Sequence, residues 1–228
     1  MAIAENLERI RQEINALDAQ NRVQLLAVSK TFPESSLEEA IAGGQRLFGE
    51  NYAQEGVRKI QYFREHYPNL GLQWHFIGPV QSNKTKLIAE HFDWVQSVDR
   101  LKIAQRLSEQ RPQARGPLNV LLEVNVDGED TKSGVDVPSV GEMLEQIARM
   151  PNLRLRGLMC IPRPAENAEQ RRKPFKIMKA LFDQYQAPYG LDTLSMGMSA
   201  DYREAIEEGA NMVRIGSAIF GARHYASK

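Results

Sequence analysis

Residues 24–30, with the sequence Gln-Leu-Leu-Ala-Val-Ser-Lys, form an apolar run of strand length that ends on a lysine. Polar residues precede this run and Pro33 follows it, which is typical of a strand buried in a parallel sheet. Ligands of α/β proteins bind beyond the carboxyl ends of such strands, so Lys30 is predicted to lie at the site of chemistry. A partly desolvated amine has a lowered pKa and can attack an aldehyde to form a Schiff base. The alternative is a lysine that only extends from the strand end into water.

Similar apolar runs recur along the chain, and segments with helical spacing separate them. The predicted strands are residues 24–30, 46–51, 74–78, 94–98, 118–126, 153–160, 191–198 and 211–221. Apolar residues at three- and four-residue steps in residues 3–17 predict an extra helix before the first strand. Eight strands alternating with helices in 228 residues, without a linker, predict an α/β fold, a single (β/α)8 TIM barrel domain over residues 1–228. The first helix would cover the gap between the last strand and the first.

The composition restricts the partners of the chain. Lys and Arg number 29, Asp and Glu also number 29, and no block of one sign occurs, so we expect no nucleic-acid or membrane-surface binding. Cys160 is the single cysteine, which excludes an intrachain disulfide and a cysteine-rich metal site and favours a reducing compartment, the cytoplasm. No apolar stretch is long enough for a membrane span, and the N-terminus does not resemble a signal peptide.

The predicted seventh and eighth strands carry the residues expected to bind a phosphate. The loops after these strands form the usual phosphate site of a barrel. Ser199 follows strand seven at a helix start, where backbone amides favour an anion, and Gly216 and Ser217 allow close approach and a hydrogen bond. Arg214 lies inside the apolar eighth strand, and a buried guanidinium needs a carboxylate, a phosphate or a ring nitrogen as its partner. The alternative for Arg214 is a structural salt bridge.

These residues resemble a known family. A lysine that ends strand one, a serine after strand seven and Arg-x-Gly on strand eight are similar to the N-terminal barrel of alanine racemase, which carries pyridoxal 5′-phosphate. The more specific resemblance is to the pyridoxal phosphate homeostasis proteins, also called the YggS or PROSC family. It rests on Ala27-Val-Ser-Lys30, Phe48-Gly-Glu-Asn-Tyr52, Trp74-His-Phe-Ile-Gly-Pro-Val-Gln-Ser-Asn-Lys84, Lys132-Ser-Gly134, Arg156-Gly-Leu-Met159, Met196-Gly-Met-Ser199, Arg214-Ile-Gly216 and Ile219-Phe-Gly221.

The resemblance implies a role for each matching residue. Lys30 would form the Schiff base with pyridoxal 5′-phosphate, and Ser199, Gly216 and Ser217 would hold its phosphate. Arg214 would face the pyridine nitrogen and disfavour its protonation, which makes the ring a weaker electron sink.

Three further residues are candidates for the cofactor site. Asn51 and His75 end the second and third strands, and Met196 lies on the seventh. The alternatives are a satisfied core histidine for His75 and core packing for Met196.

The family is understood as non-catalytic, so the implied function is to carry the cofactor and to keep vitamin B6 and amino-acid pools in balance. The chain ends seven residues after Gly221, so we expect no second domain of the kind that supplies alanine racemase with a catalytic tyrosine. Two alternatives stay open. The first is a small pyridoxal-phosphate enzyme, a racemase or decarboxylase acting on amino acids, with a group such as Tyr52 moving the proton. The second is a barrel that binds another phosphorylated metabolite. We expect a monomer, with enzymes lacking their pyridoxal phosphate as recipients.

Overall fold

The computed structural model describes residues 2–130 and 133–223, in which eight parallel strands close into a barrel. Each strand pairs with the next one along the chain, and the eighth returns to the first. The strands are β1 (Gln24–Val28), β2 (Leu47–Glu50), β3 (Gln73–Phe76), β4 (Trp94–Val98), β5 (Leu118–Glu123), β6 (Leu153–Met159), β7 (Thr193–Ser195) and β8 (Met212–Ile215). The predicted (β/α)8 barrel is therefore confirmed.

The helices cover the outside of the barrel. They are α1 (Ala2–Leu17), α2 (Glu34–Ala42), α3 (Ala53–His66), α4 (Thr85–His91), α5 (Leu101–Gln110), α6 (Val140–Ala148), α7 (Ala168–Tyr189), α8 (Tyr202–Glu207) and α9 (Ser217–Phe220). Because helices cover one face of the sheet and side chains fill the barrel interior, the strands are buried on both faces, and all five residues of β4 are inaccessible. This explains why the strands are recognisable as continuous apolar runs.

The N-terminal helix completes the ring of helices. Leu7, Ile10 and Ile14 of α1 are buried, at the three- and four-residue steps expected for one apolar face. The helix packs against α2, α8 and α9, so it covers the seam between β8 and β1. The predicted extra helix before the first strand is confirmed.

Most strands are shorter than the sequence-based expectation; β7, for example, covers Thr193–Ser195 rather than residues 191–198. Two of the differences change where site residues lie. β1 ends at Val28, so Lys30 lies in the turn that follows the strand rather than on the strand itself. The predicted eighth strand, residues 211–221, is divided into β8 and the short helix α9, whose Ile219 and Phe220 N–H groups donate to the carbonyl of Gly216. A short apolar run is compatible with either element, so its periodicity alone did not distinguish them.

The closing pair of strands places the predicted site. Leu26 of β1 lies opposite Arg214 of β8, which brings the turn after β1 beside the residues that follow β8. Among the helices in the described part of the chain, none is both long enough and apolar enough to cross a membrane.

Candidate functional site

A cavity of about 440 Å³ lies at the carboxyl ends of the strands and collects most of the predicted site residues. Its polar wall contains Lys30, Asn51, Ser199, Asp201, Arg214, Ser217 and Arg223, with Gly216 between two of them. Its apolar wall contains Val28, Ile77, Ile161, Pro162 and Met198. A cavity lined by cations, hydroxyls and apolar side chains suits a flat ring that carries an anionic group.

Lys30 projects from a tight turn that follows β1. The N–H of Phe32 donates to the carbonyl of Ser29 at 3.1 Å, which closes the turn around Lys30 and Thr31. Lys30 is partly buried, and no ion pair joins its amine to another described residue within 4.0 Å. Burial, followed by the Arg223 guanidinium, lowers the pKa of Lys30, although the Glu50 and Glu55 carboxylates act in the opposite direction. Both the position and the lowered pKa favour a nucleophilic amine.

The two serine hydroxyl groups that line the cavity come from two different loops. Ser217 begins α9, Ser199 follows β7, and the Oγ atom of Ser217 lies 3.5 Å from the Oγ atom of Ser199. The loop that carries Ser199 is fixed because the N–H of Met198 donates to Oδ1 of Asp201 at 2.7 Å. The two hydroxyls can therefore donate to the same anion.

Arg223 is a cation in the cavity wall that the sequence analysis did not identify. A Cβ atom at Gly216 would lie 2.3 Å from Nη2 of Arg223, so only glycine leaves room for this guanidinium. The guanidinium also lies 5.9 Å from the ring centroid of Phe32, and its buried Nε atom has no hydrogen-bond partner among the described residues. In the sequence, only the position of Arg223, nine residues after Arg214 and beyond the last strand, could have indicated it.

Arg214 is buried and is held from two sides. Nη1 donates to Oγ of Ser195 at 2.7 Å, and Nη2 donates to the carbonyl of Cys160 at 2.8 Å. Burial lowers the pKa of Arg214, while Cys160, Glu123 and Asp201 act in the opposite direction. No described carboxylate pairs directly with this guanidinium, so the structural salt bridge considered as an alternative does not occur within the described residues. Its remaining N–H groups are available to a ligand.

His75 and Met196 do not line this cavity. His75 is fully buried, accepts at Nδ1 from Nε2 of Gln96 at 2.9 Å, and stacks on Trp94 with 4.9 Å between ring centroids. Burial lowers its pKa to about 3, so it is neutral. Met196 is buried in the core, whereas Met198, two residues on, lines the cavity. The structure therefore does not bring His75 and Met196 together with the other predicted site residues, because both side chains are buried in the core.

A neighbouring cavity of about 450 Å³ shares Asn51 with the cavity that holds Lys30. Asn51 lines both, and its Oδ1 atom is buried without a hydrogen-bond partner among the described residues. Tyr52 and Lys84 line the neighbouring cavity and do not line the one that holds Lys30. Tyr52, the tyrosine considered as a catalytic group, therefore lies in the wall of the neighbouring cavity.

In the loop over residues 127–134, the contacts of Asp127 and Gly134 are described, and Asp127 lies near the cavity. The N–H of Arg163 donates to Oδ2 of Asp127 at 2.6 Å, next to the segment whose Ile161 and Pro162 line the cavity. The N–H of Gly134 donates to Oδ2 of Asp99 at 3.0 Å. Lys132, from the quoted Lys-Ser-Gly motif, lies outside the described residues.

Comparisons with known proteins show the family to which the chain belongs. Residues 1–224 match the family model described as alanine racemase, N-terminal domain. The chain is 54% identical to the pyridoxal phosphate homeostasis protein of Pseudomonas aeruginosa, over 99% of this chain and 97% of that one. It is 53% identical to the protein of the same name from Vibrio alginolyticus, over 99% of both. Among solved structures, PipY of Synechococcus elongatus with PLP bound superimposes with a TM-score of 0.85 at 35% identity, over 96% of this chain and 100% of that one.

Proposed function

Because the chain belongs to the alanine racemase N-terminal domain family, and within it to the pyridoxal phosphate homeostasis proteins, we propose that it binds pyridoxal 5′-phosphate and takes part in vitamin B6 homeostasis. One observation carries the proposal: a partly buried lysine shares a cavity with two hydroxyls, a small glycine and an arginine. The PLP-bound structure of PipY, a similar chain, supports the identity of the ligand.

The residues of the cavity fit this cofactor. Two buried polar atoms, Oδ1 of Asn51 and Nε of Arg223, have no partner among the described residues and are left for a ligand to satisfy. Because Gly216 has no side chain, the Arg223 guanidinium can lie beside its backbone, next to Ser217, where it would meet a phosphate. We assign the phosphate to Ser199, Gly216, Ser217 and Arg223, and the ring to the apolar wall.

Lys30 would bind the cofactor covalently. Pyridoxal phosphate would supply an aldehyde there, and the neutral amine of Lys30 would be the nucleophile that condenses with it and releases water. The lowered pKa of Lys30 increases the neutral fraction of its amine at a given pH. We assign Arg214 to the ring nitrogen, where a guanidinium N–H keeps that nitrogen unprotonated and weakens the ring as an electron sink. This supports carriage of the cofactor without turnover.

The test combines spectroscopy with peptide mapping. Added pyridoxal phosphate should produce a visible Schiff-base band, and borohydride should reduce the C=N bond. Because a reduced pyridoxyl group blocks trypsin at Lys30, the labelled peptide should run from Val23 to Arg46. Lys84→Ala, which removes a lysine of the neighbouring cavity, is the matched control and should keep the band. A protein that forms no band with excess pyridoxal phosphate, or a label on another peptide, would refute the assignment.

A second assay separates the carrier from an enzyme. The loaded protein is incubated with single amino acids, and their chirality and carboxyl groups are followed by chiral chromatography and mass spectrometry. We expect no change, because Arg214, assigned to the ring nitrogen, weakens the ring as an electron sink. Conversion of any amino acid above the rate with free cofactor would instead establish turnover.

We further propose that the protein acts as a cytoplasmic monomer and hands the cofactor to enzymes that lack it. Large apolar side chains of the described residues are exposed at Tyr52, Ile161, Ile177 and Met198, and two of these belong to the cavity. Such scattered exposure is typical of a monomer. Light scattering of the purified protein checks the mass, and recovery of activity by an enzyme stripped of its pyridoxal phosphate checks the transfer.

A further inference from the structure

A buried ionic cluster of Glu50, Glu55 and Lys59 lies directly behind the turn that carries Lys30. Lys59 reaches from α3, its side chain is fully buried, and its Nζ atom uses all three of its donors. It donates to Oε1 of Glu50 at 2.6 Å and to Oε1 of Glu55 at 2.8 Å. The third hydrogen bond, at 2.8 Å, goes to the backbone carbonyl of Ser29, the residue before Lys30.

The cluster also holds the residue after Lys30. The backbone N–H of Thr31 donates to Oε1 of Glu55 at 2.6 Å. Ser29 is held a second time, because its Oγ atom donates to Oε1 of Glu50 at 2.9 Å. The backbone on both sides of Lys30 is therefore fixed by the same cluster.

The turn needs this support because its backbone is strained. Thr31 has a φ angle of +71°, in the left-handed region that a β-branched residue rarely adopts. Such a conformation persists only where the surroundings impose it, and strained residues of this kind concentrate at functional sites. A buried ion pair, in turn, is a poor source of stability, since apolar residues of similar size often serve as well. Neither the strain nor the buried charges are explained by stability alone.

We propose that Glu55 and Lys59, together with Glu50, are positioning residues for Lys30. They fix the carbonyl before it and the N–H after it, so that the amine projects into the cavity at the place where the aldehyde must lie. The cluster touches the backbone and not the cofactor, so it acts through Lys30. This inference rests on the proposed function of Lys30 as the residue that binds the aldehyde.

Glu55 is the residue to change because its side chain is partly exposed, whereas Glu50 and Lys59 are fully buried. Glu55→Ala removes the acceptor for Thr31 and for Lys59. Glu55→Gln keeps an oxygen in place for both and loses only the charge. Arg58→Ala is the matched control, because Arg58 is the neighbouring helix residue and its ion pair with Glu34 lies at the surface.

The first measurement is the dissociation constant of the Schiff-base complex. We expect it to rise about tenfold in Glu55→Ala and to return to within about threefold of wild type in Glu55→Gln, since coupled neighbours interact on this scale. Each variant is also made in a Lys30→Ala background, where only non-covalent binding remains. There Glu55→Ala should change the affinity less than twofold. An equal loss in both backgrounds, or a wild-type constant in folded Glu55→Ala, would overturn the inference.

A second measurement needs no cofactor. Trace labelling of the unloaded protein with acetic anhydride reports the reactivity of Lys30, with Lys84 as the internal reference. We expect Lys30 to be labelled at least about threefold faster in Glu55→Ala, because the released turn exposes the amine and loss of a carboxylate lowers its pKa. Unchanged labelling of Lys30 would overturn the inference, whether or not the wild-type protein forms a Schiff base. Failure of the wild-type protein to form a Schiff base would instead refute the proposed function. Faster labelling combined with weaker cofactor binding is the signature of lost positioning.

Discussion

Gly216→Ala is expected to weaken cofactor binding while leaving the protein stable. The new Cβ atom would lie 2.3 Å from Nη2 of Arg223 and 3.2 Å from the carbonyl oxygen of Val28. The first contact is too short, so the guanidinium must leave its place, and the second requires a shift of only a few tenths of an ångström. Gly216 has a φ of −117°, a conformation that alanine can also adopt.

The magnitudes follow from these contacts. Moving the end of a flexible side chain costs little, and alanine restricts the unfolded chain more than glycine does, so the free energy of unfolding should change by less than about 1 kcal/mol. Loss of one charge-assisted hydrogen bond from Arg223 to a phosphate costs about 1.5–3 kcal/mol. At about 1.4 kcal/mol per factor of ten, the affinity should fall roughly 10- to 150-fold.

The assay is an absorbance titration with pyridoxal phosphate, beside urea unfolding of the same samples. Gly43→Ala serves as the control, since its Cβ would also lie close to a backbone oxygen, 3.3 Å from Ala40, but away from the cavity. Arg223→Ala should lose about as much affinity as Gly216→Ala, and the double variant should lose little more, because both changes remove one contact. Wild-type affinity in folded Gly216→Ala, or fully additive losses, would refute the place given to Arg223.

Three other changes test separate parts of the molecule. Lys30→Ala should abolish the Schiff-base band and leave weaker, phosphate-driven binding by calorimetry; a persisting band at full occupancy would contradict the assignment. Burial, and then Asp99, raise the pKa of Glu123 to about 7, so the folded state binds its proton more tightly than the unfolded state, and stability should fall as the pH rises from about 4.5 through 7. The loss of unfolding free energy is at most about 3 kcal/mol, and Glu123→Gln should remove it. If the urea midpoint changes by the same amount between pH 5 and pH 8 in the wild-type protein and in Glu123→Gln, this contribution of Glu123 is excluded. Gly157→Ala should lower the free energy of unfolding by more than about 3 kcal/mol, because its Cβ would fall on the backbone carbonyl of Thr193 in β7. A wild-type urea midpoint would contradict this prediction and show that β6 and β7 separate at little cost.

Several parts of the site were accessible from the sequence and others were not. Lys30, Ser199 and Ser217 were identified because each follows a strand, and the carboxyl ends of parallel strands share one edge. His75 lies on β3, one residue before the strand ends, yet its side chain is buried in the core, where it contacts Gln96 and Trp94. The position of a residue along a strand predicts the edge of the barrel at which it lies, but not whether its side chain lines a cavity or is buried in the core.

Arg223 and the Glu50–Glu55–Lys59 cluster illustrate what sequence patterns omit. Arg223 follows the last strand in no periodic segment, and its place depends on the space beside Gly216. Lys59 lies on α3 among residues with ordinary helical spacing, and nothing local marks it as buried. Its three acceptors come from the end of β2, from α3 itself and from the turn after β1.

The sequence by itself determined the barrel, the helix that closes it and the lysine that follows its first strand. These follow from local properties, namely the continuous apolar runs of strands buried on both faces, the 3.6-residue period of helices and the turn residues between them. Only the tertiary structure decided which charged groups meet. Closure of the barrel sets β1 against β8, with Leu26 opposite Arg214, and the contacts of Lys30 with its surroundings depend on that register. Such contacts join residues far apart in the chain, so no local pattern encodes them.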